Sequence, residues 1–135
     1  MTVGLIMKRL ITFFCLALLV GTPAAVNADQ LKEGTAAFKA GNYQKALELF
    51  KPLAGQGDVN AQYNLGLMYM AGRGVPEDHV LAHKWFNLSA SRSKGTDHEE
   101  AVRLRDLIGK TMTPAQVGQA QKLAREWKPK SNKSP

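Results

Sequence analysis

The sequence predicts an all-α protein, a short right-handed αα superhelix built from helical hairpins, with about six helices in all. Three observations carry that reading. Beyond Asp29 the apolar residues recur at helical spacing almost everywhere, with Gly, Pro and Asn falling between the periodic segments. Segments and breaks are both short, which favours antiparallel pairs. The pairs also repeat. Thr35–Gly41 overlays Gly66–Gly72, and Ala46 and Phe50 overlay Ala82 and Phe86 at a separation of 36 residues. In this overlay the five extra residues of the second copy fall in the Gly72–Asp78 loop.

The 135-residue chain opens on a leader. Lys8 and Arg9 form a basic start, Leu10–Val20 is an unbroken apolar run, and Gly21-Thr22-Pro23 breaks it. Val26-Asn27-Ala28 then offers small residues to a signal peptidase, so residues 1–28 read as a secretory signal cleaved after Ala28. The run is shorter than the ~20 residues that span a bilayer, so no stable membrane insertion is expected after cleavage. The expected location is exported, periplasmic or secreted. Cleavage removes two of the 18 basic residues and none of the 11 acidic ones, so the net charge falls from +7 to +5. The one cysteine, Cys15, lies inside the apolar run and leaves with it. The mature chain then holds no disulfide, no cysteine nucleophile and no thiolate metal site.

Residues 29–127 are expected to form the folded domain, helix by helix. The first helix covers about Gln30–Ala40, with Leu31, Thr35 and Phe38 on one face and Gly41 ending it. Asn42 caps the second, whose stripe is Ala46, Leu47, Phe50 and Leu53, and Pro52 is expected to kink or end it near Lys51. The third, about Asn60–Ala71, is apolar on more than one side. After the Gly72–Pro76 loop, Asp78 caps the fourth, about His79–Ser91, which is expected to bury Ala82, Trp85 and Phe86. Thr96 with Glu99 reads as a capping box for a fifth helix carrying Ala101, Leu104 and Ile108. Thr113 with Gln116 reads as a second box, with Pro114 at the first helical position of a sixth helix. Residues 128–135 are basic, polar and Pro-containing, and read as a disordered tail.

The stretch 60–95 resembles the Sel-one-like repeat family, relatives of the tetratricopeptide repeats. The matching residues are Ala61, Leu65-Gly66, Tyr69, Gly72, Gly74-Val75, Asp78, Ala82 and Trp85-Phe86. Leu31–Gly57 resembles a degenerate copy, and Ala101–Trp127 lacks the Leu-Gly-x-x-Tyr pattern and reads as a terminal cap. The resemblance implies a tetratricopeptide-like solenoid and scaffolding work, meaning adaptor, assembly and recognition roles. Secreted relatives with cysteine-rich repeats also tie the family to β-lactam binding or hydrolysis, so the resemblance implies a secreted β-lactamase-like hydrolase as the alternative function, although this chain lacks those cysteines.

No catalytic residue, metal site or cofactor is expected. His79 and His83 stand four apart, a chelating spacing, yet no cysteine joins them and positions 80–82, Val-Leu-Ala, do not fit an HExxH motif. Glu77-Asp78 and Glu99-Glu100 fit helix starts, where caps and the helix dipole favour carboxylates. Basic residues from Lys122 to Lys133 open a second reading, attraction to an anionic envelope polymer, while nucleic acid is not an expected partner. The expected partner is a protein or peptide, and the chain itself is expected to be a monomer or weakly self-associating. The third helix carries a surplus of apolar surface. Tyr63, Leu67 and Met70 make a second stripe, which in a tetratricopeptide-like solenoid faces the groove, with Lys32 and Lys39 of the first helix at its rim. The alternative is that the terminal cap covers this stripe.

Overall fold

A computed structural model describes residues 22–131 of the chain. Six helices follow in order: α1 (Pro23–Lys39), α2 (Tyr43–Gln56), α3 (Val59–Ala71), α4 (His79–Arg92), α5 (Gly95–Gly109) and α6 (Pro114–Glu126). No strand occurs among the described residues. Consecutive helices pack from α1 through α5, which gives the stacked hairpins of a tetratricopeptide-like superhelix.

Local chemistry explains most of the boundaries. The Asn42, Asp58 and Asp78 side chains accept from the amides of Lys45 (3.3 Å), Ala61 (2.8 Å) and Leu81 (2.9 Å), satisfying donors that a helix start leaves free. Thr113 and Gln116 form the expected capping box over Pro114. At the other ends, Gly57 (φ 101°) and Gly72 (φ 62°) take the left-handed conformation that closes α2 and α3.

Four boundaries differ from the sequence reading. Helix α1 begins at Pro23, because proline opens a helix at its first position without losing a needed amide. Val26–Ala28, the expected peptidase exit, is therefore helical, while Lys8–Val20 lies outside the described residues. Pro52 does not end α2, which runs through it to Gln56. Pro52 and Glu48, one turn back, are both solvent-exposed, so the carbonyl left without its amide partner sits on the wet side of the helix. Helix α5 starts at Gly95 without a side-chain cap, so the Thr96–Glu99 box does not form. The tail is also ordered in part. Lys130 donates its amide to Gly55 O at 2.8 Å, and Trp127 stacks on Arg92 with the guanidinium carbon 4.7 Å from the ring centroid.

Two hydrophobic clusters make the core, and α3 belongs to both. Ala61, Leu65 and Met68 join Phe50, Leu53 and Leu47 in the first. Tyr63, Leu67, Tyr69 and Met70 pack against Ala82, Phe86, Leu104 and Ile108 in the second. A helix flanked on two sides needs apolar residues around most of its circumference, and α3 has them. In each hairpin a phenylalanine lies on a glycine. A Cβ on Gly34 would sit 2.7 Å from the Phe50 ring, and one on Gly66 would sit 2.6 Å from the Phe86 ring. Gly34 is thus the structural equivalent of Gly66, one position earlier than the Thr35 pairing in the sequence overlay. The insertion before α4 is correspondingly four residues long.

The loop of the second repeat seats on the first. Gly74, at φ 73°, passes so close to Tyr43 that a Cβ would meet its carbonyl oxygen at 2.9 Å. Arg73 stacks over Phe38 and Tyr43, with its guanidinium carbon 5.6 and 5.4 Å from their centroids. Helix α6 does not lie principally along α5; it packs on α4.

Trp85 is only partly buried, under the Lys84 ammonium at 4.2 Å, and packs against the first cluster. Among the described residues the fully buried aromatic ones are Phe50 and Phe86. Phe86→Ala is therefore expected to cost about 3–5 kcal/mol and Trp85→Ala clearly less, about 1–3 kcal/mol. Urea denaturation of the two variants checks the order, and a Trp85→Ala loss equal to or larger than that of Phe86→Ala contradicts this core.

His83 is 5% exposed, and burial, with Arg105 nearby, holds its imidazole below the ordinary value. The unfolded chain takes up a proton near pH ~6.5 that the native ring resists, so its contribution is full above that pH and falls as pH drops through it. Urea midpoints measured from about pH 7.5 down to about pH 5.5 are expected to fall in the native chain and to fall less in His83→Gln. Equal losses would show that the ring is not held neutral.

Candidate functional site

The search for a site begins with the surplus apolar stripe on α3. Tyr63, Leu67 and Met70 are each half-buried and packed against the second cluster. The Tyr63 ring meets Phe86 edge-on, with centroids 5.8 Å apart and planes at 60°. The terminal-cap helix α5 supplies two members of that cluster, Leu104 and Ile108, so much of the stripe serves packing.

What stays open is a recess of about 210 Å³ at the start of α3, lined by Asn60, Tyr63, Ser89, Asp97 and Glu100 among others. The Ser89 hydroxyl donates to Val59 O at 2.9 Å and fixes α4 against the first turn of α3. Tyr63 stands at the junction, and burial together with the nearby Glu100 carboxylate raises its phenol above the ordinary value. Glu100 is gripped by the Arg103 guanidinium at 2.6 and 2.8 Å, which lowers its carboxyl. Asp97 makes no ion pair among the described residues. The recess therefore combines an aromatic wall with a negative rim.

Lys32 and Lys39 do not line this recess. They border a separate, mostly apolar depression of about 380 Å³ along α1, with Ala28, Leu31, Thr35 and Ala36. The five residues read as one groove thus fall in three settings: Tyr63 at the recess, Leu67 and Met70 in the packing against the second cluster, the two lysines on α1. The sequence reading missed Asp97 and placed Glu100 with the helix-start charges. The one available signal was that Asp97 and Glu100, three apart, share a helix face.

His79, Ser91 and Ser93 have local partners. His79 contacts Glu77 at 2.9 Å and the Thr111 hydroxyl at 3.1 Å, whereas His83 is buried, so the pair does not converge on one point. Among the described residues no group of three or more His, Cys, Asp or Glu stands ready to hold a metal. Ser91-Arg92-Ser93-Lys94 matches the spacing of a serine–lysine hydrolase pair. However, the Ser91 hydroxyl donates to Leu88 O at 2.8 Å and the Ser93 hydroxyl to Ser89 O at 2.8 Å, and Lys94 is exposed at the start of α5. Neither hydroxyl is set against a base, as a nucleophile requires.

The family pattern falls where the packing needs it. Ala61, Leu65, Ala82 and Phe86 are buried, Gly66 lies under Phe86, Tyr69 and Trp85 are half-buried, Gly72 and Gly74 turn the loop, and Asp78 caps α4. Residues 31–58 and 59–94 each match the family model of the Sel1 repeat. No curated protein and no solved structure matches the chain. The first matched copy runs from the middle of α1 through α2, the second covers α3 and α4, and both α5 and α6 lie beyond them. The chain thus carries two Sel1 repeats in tandem over residues 31–94.

Proposed function

We propose that the protein is an exported, non-catalytic scaffold that binds a protein partner through the recess at Tyr63. Sel1 repeats build helical scaffolds for protein–protein contact, and that is the coarse frame. The observation that carries the finer reading is the pairing of the half-buried Tyr63 ring with the exposed Asp97 carboxylate at one recess. An aromatic wall beside a negative rim favours a segment that presents an apolar residue next to a lysine or arginine. Export rests on the Lys8-Arg9 start, the Leu10–Val20 run and the small residues ending at Ala28.

Asp97→Lys reverses the rim charge at an exposed position outside the core. Capture of the partner is expected to fall about tenfold or more while the fold is kept, the loss of a first-turn carboxylate costing only about 0.3–1 kcal/mol. A photo-reactive group placed at Asn60 is expected to trap the partner, and the same group at Gln119, exposed on α6, to trap nothing. Undiminished capture by Asp97→Lys, or equal trapping from the two positions, contradicts the site.

Export is checked separately, by sequencing the N-terminus of protein recovered outside the cytoplasm. An N-terminus at Asp29 is expected, and this cut also removes the first six residues of α1, with the Asn27–Gln56 side-chain bond of 3.2 Å. Recovery of the intact leader in the membrane fraction contradicts export and leaves the recess untouched.

A further inference from the structure

Because α6 packs on α4, an open cleft of about 730 Å³ remains between α4, α5 and α6. Its lining is unlike that of the Tyr63 recess. Arg105 from α5, Lys110 just past its end and Arg125 from α6 line it, against a single carboxylate, Asp106. The Arg105 guanidinium is fixed in place, donating to Asp106 at 2.9 Å and to the Asn87 side-chain oxygen at 3.2 Å. Lys110 and Arg125 form no ion pair among the described residues. Helix α6 thus adds charge to a wall that is already positive.

His83, 5% exposed, also lines the cleft, and its Nδ1 has no hydrogen-bond partner. A buried N–H without an acceptor costs more than a bare ring nitrogen, so the proton belongs on Nε2. The Cδ2–Nε2 edge lies beside Gly109, where a Cβ would stand 3.6 and 3.7 Å from those two atoms. The glycine leaves that edge uncovered. The volume falls in the range of small-molecule sites, larger than one oxyanion fills. Cations from two helices call for a ligand with more than one acidic group.

We propose that this cleft binds a small polyanion, a di- or tricarboxylate or a phosphate ester, held by Arg105, Lys110 and Arg125, with the His83 ring donating from the floor. Nothing in the scaffold reading requires this site, and its residues do not overlap the Tyr63 recess.

Titration calorimetry of the folded chain with citrate and with pyrophosphate tests the proposal. Saturable one-to-one binding is expected with at least one probe. Lys110→Gln combined with Arg125→Gln is expected to weaken it tenfold or more. Gly109→Leu keeps every charge, covers the imidazole edge and is expected to weaken binding to a similar degree. Lys122→Gln, on a lysine that pairs with Glu126 and does not line the cleft, is expected to change binding less than twofold. The His83 ring resonances are expected to shift on saturation while those of His79 and His98 stay in place. Binding of citrate alone assigns a carboxylate ligand, pyrophosphate alone a phosphate ligand, and both a site that reads charge. Absence of saturation with both probes overturns the proposal. So does equal weakening in the Lys122→Gln control, which would mark diffuse attraction to a basic surface.

Discussion

In each hairpin of this protein a phenylalanine ring lies directly on a glycine of the facing helix, and the helix spacing follows from that contact. Phe50 occupies the space where Gly34 lacks a side chain, and Phe86 does the same at Gly66. A methyl group at either glycine would stand under 3 Å from ring atoms, so the helices would have to move apart or the ring would have to turn. With the rings seated, small residues fill the close crossings, and Ala46, Ala61 and Ala82 are fully buried. Each repeat is therefore a pair of helices set at the distance of one aromatic ring.

Two hairpins of this kind have too little core to stand alone, and the structure shows how they are joined. Helix α3 faces Phe50 and Leu53 with Leu65 and Met68 and turns Leu67 and Met70 toward the second cluster. The Gly72–Asp78 loop adds a second joint, with Gly74 against the Tyr43 backbone and Arg73 over two aromatic rings. A third lies at the far corner. There Gly57 takes a left-handed turn beside the Arg92–Trp127 stack, and a Cβ on it would meet the Arg92 guanidinium at 2.6 Å. The Lys130 amide closes the same corner on Gly55. The segment Trp127–Lys130 thus clasps the C-terminal ends of α2 and α4.

Fold and repeat boundaries were legible because period, caps and glycines all point the same way. Asn42, Asp78 and the Thr113–Gln116 box act locally, and local chemistry reads well from a single chain. What was not legible depends on distant contacts. Gly34 and Thr35 are adjacent, and only the position of the Phe50 ring shows which of them lies beneath it. Trp85 matched the repeat pattern, but the pattern does not say that the Lys84 chain rather than the core covers one of its faces. The Tyr63 recess depends on where α5 lands, and the cationic cleft depends on α6 crossing to α4. Helical periodicity marks which face of α6 is apolar and leaves open which helix that face will meet.

The central claim is that the shared helix, the seated loop and the C-terminal clasp make both repeats and their cap one cooperative unit. Trp85 beside the first cluster and Trp127 at the clasp report on different parts of it. Retaining one tryptophan at a time, with the other replaced by phenylalanine, allows urea unfolding to be followed by fluorescence from each site and by far-ultraviolet circular dichroism. Coincident transitions from all three signals are predicted. A Trp127 transition at clearly lower urea than the other two would show that the cap comes off by itself, and would contradict the account.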